Sequence, residues 1–88
     1  MTCRIDRLQI GNGPTVLRIS GRITVEGVDV LRLAIDQERG PLAIDLQEIS
    51  IVDCDAVNLL AVSEANGIEL RNCPAYIREW VDQERARR

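Results

Sequence analysis

Asp53, Cys54 and Asp55 place two carboxylates and a thiol at three consecutive positions. Paired carboxylates can act as general acid and base where they face one another across a substrate, and a thiol at a helix start can serve as a nucleophile. The spacing does not meet the first condition, because positions i and i+2 around a loop do not reliably face each other. No histidine or metal-ligand set accompanies them. Two flanking aspartates also disfavour a thiolate at Cys54, and small cysteines commonly serve as packing residues. Asp53 and Asp55 therefore read as loop and helix-start residues, and Cys54 as a packing residue.

The composition narrows the chemistry further. The chain has 88 residues with a formal net charge of −3, eleven arginines, no lysine and no histidine. The missing histidine excludes Ser-His-Asp and Cys-His pairs and Cys₂His₂ zinc sites. The missing lysine excludes a Schiff base and a phosphate-loop lysine. No cofactor is expected, and the chain reads as a non-enzyme. An acidic balance and only two aromatics, Tyr76 and Trp80, argue against a nucleic-acid partner. Cys3, Cys54 and Cys73 are an odd set without Cys-x-x-Cys spacing, as expected of free thiols in a reducing compartment. No apolar run approaches the roughly 20 residues of a membrane span, and the N-terminus lacks a signal-peptide apolar core. A cytoplasmic protein, one domain over 1–88, is expected.

The elements that would position the Asp53 region follow from hydrophobic period. Cys3–Ile10 alternates imperfectly through Ile5, Leu8 and Ile10, and Thr15–Ser20 alternates cleanly through Leu17 and Ile19. Gly11-Asn12-Gly13-Pro14 between them is a turn, so the two strands form an antiparallel hairpin. Gly21 to Thr24 leaves the second strand. Val28, Leu31 and Ile35 then mark a helix closed by Gly40-Pro41, with Val30 and Ala34 flanking the stripe. Leu42–Leu46 suits a central strand covered on both faces, and Ile49–Val52 continues apolar. A helix over Ala56–Ala65 ends at Asn66-Gly67, and Ile68–Arg71 is a strand. Asn72-Cys73-Pro74 opens a last helix with an Ile77, Trp80 and Val81 stripe, and Arg85–Arg88 reads as a frayed basic tail. The order is β-β-α-β-α-β-α, an α/β fold with a small mixed sheet of about four strands and helices packed on it.

The run from Asp45 to Ala56, D-L-Q-E-I-S-I-V-D-C-D-A, resembles without gaps the D-L-S-G-V-T-F-I-D-S-S-G signature of STAS domains. Val16–Ile23 resembles that family's V-L-x-L-x-G-R-L segment, and Asn72–Ala75 its N-P element before the final helix. The likeness spans about residues 15–84. STAS domains comprise bacterial anti-sigma-factor antagonists and the cytoplasmic tails of sulfate transporters. The resemblance implies a signalling and transcription-regulation module. Its partner would be an anti-sigma factor that is also a serine kinase-like ATPase, and that kinase phosphorylates a serine at the start of the helix. A helix N-terminus accepts that phosphate readily.

Here the acceptor position is occupied by Asp55 and the glycine by Ala56, and no hydroxyl lies between Ser50 and Ser63. Asp55 reads either as a permanent partial mimic of phosphoserine, with about half its charge, or as a helix N-cap. The implied partner surface is Asp53, Cys54, Asp55, Ala56, Asn58, Leu59 and Val62. Leu59, Leu60 and Val62 cannot all point inward on a helix with a solvent side, so an exposed apolar contact face or a deeply buried helix are the two expectations. Small STAS proteins also bind the ATPase of lipid-transport ABC complexes, which gives a second class of partner. A homodimer anchored by the terminal aromatics is a further possibility.

Overall fold

Thr15–Ile23, strand β2, is the axis about which the chain is arranged. The structure is a computed structural model and describes residues 3–9 and 11–87. Alternation along β2 buries Thr15, Leu17, Ile19 and Ile23 on one face and leaves Val16, Arg18, Ser20 and Arg22 on the other. Cys3–Leu8, strand β1, lies antiparallel to β2 with Ile5 opposite Ile19. β1 ends at Leu8, short of the expected Ile10, with Gln9 already outside it; Ile10 itself lies outside the described residues, as do Met1, Thr2 and Arg88.

On its other side β2 pairs twice. Its first half is parallel to Leu42–Asp45, strand β3, with Leu17 beside Ile44. Its second half is parallel to Ile49–Val52, strand β4, with Ile23 beside Val52. The register shifts between Gly21 and Arg22, where Gly21 takes φ +88°. A glycine takes that left-handed region at the shift without steric cost. That explains two departures from the expected order. The Gly21-Arg22 pair, read as the end of the strand, lies within it, at a register shift where Ser50 of β4 is the extra residue. The apolar stretch 49–52 is a strand of its own, so the sheet has five strands. Glu69–Arg71, strand β5, pairs parallel with β3 and forms the far edge.

Three helices cover one face. Val25–Gln37 (α1) buries Gly27, Val28 and Leu31; Cys54–Ala65 (α2) buries six of its residues; Ala75–Ala86 (α3) buries Ile77 and Val81. These join Leu17, Ile19, Ile23 and Ile44 in one core cluster, against which Cys3, Cys73 and Trp80 pack half-buried. Burial raises the thiol pKa of both Cys3 and Cys73, consistent with packing roles. The connections β2–α1–β3 and β4–α2–β5 advance in one direction across the sheet.

The opposite face carries no helix among the described residues, yet all four β3 residues are buried. Charged side chains do the covering there. Asp45 accepts hydrogen bonds from the Gln47 N–H at 2.9 Å and the Asn72 amide at 3.2 Å, and Arg18 Nε stands 3.6 Å away. Burial raises the Asp45 pKa, but these donors and the Arg18 charge outweigh it and leave the carboxyl below its usual range. The central strand is thus buried along its length as expected, with helices on one face and Arg18 beside Asp45 on the other.

Candidate functional site

The turn after β4 is held by backbone before any side chain acts. Asp53 N–H donates to the Ile23 carbonyl at 3.3 Å, which pins the turn to the end of β2. Asp53 has extended backbone angles, and its carboxylate accepts from Ala56 N–H at 3.0 Å while its carbonyl accepts from Val57 N–H. Those contacts define an N-cap, so α2 begins at Cys54, two residues earlier than hydrophobic period places it. The cap is Asp53, not Asp55. This corrects the cap assignment from the sequence: the strand runs out at Val52, and the first residue able to turn the chain is the one after it.

Asp55 sits in the first turn of α2, exposed, and no hydrogen bond or ion pair engages it among the described residues. Its negative charge lies where unpaired N–H groups favour an anion. Cys54 and Asn58 are exposed beside it, so the packing role expected of Cys54 is absent. Ala56 and Leu59 are buried, at 0% and 9% exposure, and Val62 is half-buried. The apolar surplus of α2 therefore goes into the core, and none of the large exposed hydrophobic side chains is on this helix.

Asp55 and Asn58 form a ridge between two depressions. One, about 470 Å³, lies toward α3 and is lined with Cys54, Glu84 and Arg87. The other, about 200 Å³, lies toward α1 and is lined with Val25, Val28, Asp29 and Arg32. Both sit by the carboxyl ends of β2 and β4, the side of a parallel α/β sheet where binding surfaces usually form. Sequence reasoning did not bring Val25, Asp29, Arg32, Glu84 or Arg87 to this place. Asp29 and Arg32 lie between the apolar positions Val28, Leu31 and Ile35, the pattern of a polar helix face, but nothing in the sequence shows which neighbour that face adjoins. The basic tail is also more ordered than expected. Arg85 and Ala86 belong to α3, Arg85 reaches Glu64 at 2.8 Å, and Arg87 pairs with Glu84 at 3.3 Å.

No group of three or more metal-ligating side chains occurs among the described residues. No helix among them is long and apolar enough to cross a membrane. The ridge is a surface for polar contact rather than an enclosed pocket.

The backbone matches the crystal structure of an anti-sigma-factor antagonist, a STAS domain from Rhodobacter sphaeroides, with a TM-score of 0.59. The match covers 80% of this chain and 84% of that chain at 18% sequence identity. The fold is that of a STAS domain: a small mixed sheet with helices packed on it. No family model and no curated protein matches the sequence.

Proposed function

We propose that this chain is a non-enzymatic protein-interaction module of the anti-sigma-factor-antagonist kind, acting in the cytoplasm in transcription regulation. Its partner is a kinase-type anti-sigma factor, bound through the turn at Asp53–Ala56 and the outer side of α2. Cys54, Asp55, Asn58 and the half-buried Val62 make the contact, while Asp53, Ala56 and Leu59 hold that surface from beneath. The observation that carries the reading is Asp55, an exposed carboxylate without a protein partner among the described residues, at the position where the resemblance to STAS domains places the phosphoacceptor serine. A fixed negative charge there puts the surface permanently in one state.

The fixed charge also supports a second reading on the same surface, an accessory subunit that binds the ATPase of a lipid-transport ABC complex. Such binding needs no phosphoacceptor, and the hydroxyls nearest in sequence are Ser50 on β4 and the buried Ser63. Affinity capture from the source cells separates the two readings. Recovery of a kinase-type ATPase supports the first, and an ABC ATPase or permease supports the second. With the recovered kinase and labelled ATP, the wild-type chain stays unlabelled and Asp55→Ser becomes a substrate. Labelling of the wild type would overturn the fixed-state reading.

A further inference from the structure

The free strand edges of the sheet differ. β5 and β4 are edges of three and four residues, whereas β1 presents six residues whose outer side no described strand pairs. A long free edge offers unpaired backbone groups to another strand, unless side chains oppose it. On β1 the side chains select a partner. Ile5 shares the helix-covered face with Ile19, while Arg4 and Asp6 stand on the open face opposite Ser20 and Arg18. When such a strand meets its own copy antiparallel, opposed residues must lie on the same face, which leaves few registers. Centring on Ile5 sets Ile5 against Ile5 and Arg4 against Asp6 twice. Moving the centre to Arg4 sets Arg4 against Arg4, and moving it to Asp6 sets Asp6 against Asp6. Opposed like charges are unfavourable, so one register is preferred over its neighbours.

The helix above this edge points to the same occupant. α1 lies over β1 and β2: a Cβ at Gly27 would meet Cys3 Cβ at 3.4 Å and Ile23 Cγ2 at 3.5 Å. Just past its end Glu38 accepts hydrogen bonds from Arg7 Nε at 2.9 Å and Arg7 Nη2 at 3.2 Å. At about 100° per residue, Val28 and Arg32 turn toward α2, which leaves Val30 on the flank away from it, while Leu33 stands on the outer side of the helix, away from the sheet. Val30 is 43% exposed and Leu33 60%. Strands about 4.8 Å apart would bring two such helices about 10 Å apart across a two-fold axis, a helix-packing distance.

We propose that two copies of this chain pair β1 to β1, antiparallel about Ile5, continuing the sheet across a two-fold axis with α1 against α1. The Asp55 ridge lies on the other flank of α1, so the dimer carries two such ridges and leaves both free. The interface is independent of what those ridges bind.

Sedimentation equilibrium tests the proposal on the full chain. The wild type should run at twice its 9.8 kDa chain mass. Arg4→Asp, at a side chain 78% exposed, should raise the dissociation constant on the order of tenfold to a hundredfold, because it sets two like-charged pairs across the axis. Asp6→Arg should do the same, and the double reversal Arg4→Asp/Asp6→Arg should restore the dimer. Val30→Glu should weaken it without touching the strand. Circular dichroism of each variant confirms that the fold is kept. A wild type monomeric up to millimolar concentration would overturn the proposal. So would a dimer indifferent to the single reversals, or a double reversal that stays monomeric.

Discussion

The two ends of α2 solve the same problem in opposite ways. At the C-terminal end Glu64 accepts two 2.6 Å hydrogen bonds from Arg78 of α3 and a third, at 2.8 Å, from Arg85. Arg78 also reaches Asp82 one turn on, at 2.7 Å. Every charge there has a protein partner, and the network fastens α2 to α3. At the N-terminal end one carboxylate, Asp53, is spent on the backbone, and the next, Asp55, is left to solvent between two depressions. A helix anchored at one end by paired charge can present unpaired charge at the other without losing its position. The closed end gives stability, and the open end is the place for recognition.

Breaking the closed end should have the largest effect. Arg78 hydrogen bonding, opposed in part by burial, and then Arg85 hold the Glu64 carboxyl at about 2, well below its usual 4.5. Because the folded value is the lower one, the contribution of Glu64 to stability is fully present above pH 4.5 and is lost as pH falls toward 2. Glu64→Gln should cost about 1–2 kcal/mol at neutral pH, a charged hydrogen-bond value discounted because Arg78 is partly solvated. Thermal unfolding should show a drop of about 5–10 °C for a domain of this size. The gap between variant and wild type should close as the pH is lowered from 4.5 to 2. A gap that stays constant over that range would place the effect elsewhere than in the carboxylate charge.

Asp53→Ala sharpens the comparison by attacking the open end through its backbone. Losing the cap leaves Ala56 N–H without its carboxylate and should cost about 1 kcal/mol, visible in urea unfolding. Asp53→Asn, which caps about as well, should lie close to wild type. Equal losses for both would mean that the charge of Asp53, not its acceptor geometry, supports the turn.

The contrast between the ends was unevenly legible in the sequence. The hairpin, the three helices and the sheet came from period and turn residues, because Leu17, Ile19, Val28, Leu31 and Ile77 obey local rules. β4 was not separated because its pairing depends on a register shift opposite Gly21, a residue more than twenty-five positions away. The motif at 53–56 located the ridge, but which aspartate capped the helix rested on where the strand ended, a boundary fixed by the β2–β4 pairing. The Glu64–Arg78–Arg85 network was invisible for the same reason: its partners belong to two helices separated by a strand. Pattern is local, and both ends of α2 are set by contacts that are not.

The smallest effect on stability should come from the residue of greatest functional interest. Asp55 has only the favourable potential of the first turn of α2 to lose, since nothing among the described residues bonds to its side chain. Asp55→Asn should therefore shift stability by no more than about 0.5 kcal/mol, within the range of exposed charge–dipole terms. Because Asn removes the charge and keeps the shape, it separates the two possible uses of this position. If the carboxylate serves recognition, partner affinity in a titration should change severalfold while unfolding barely moves. If it serves only the helix, affinity should follow the small loss of stability. Stability that fell by as much as in Asp53→Ala would make Asp55 a second anchor, and the N-terminal end of α2 would then be as closed as the end at Glu64.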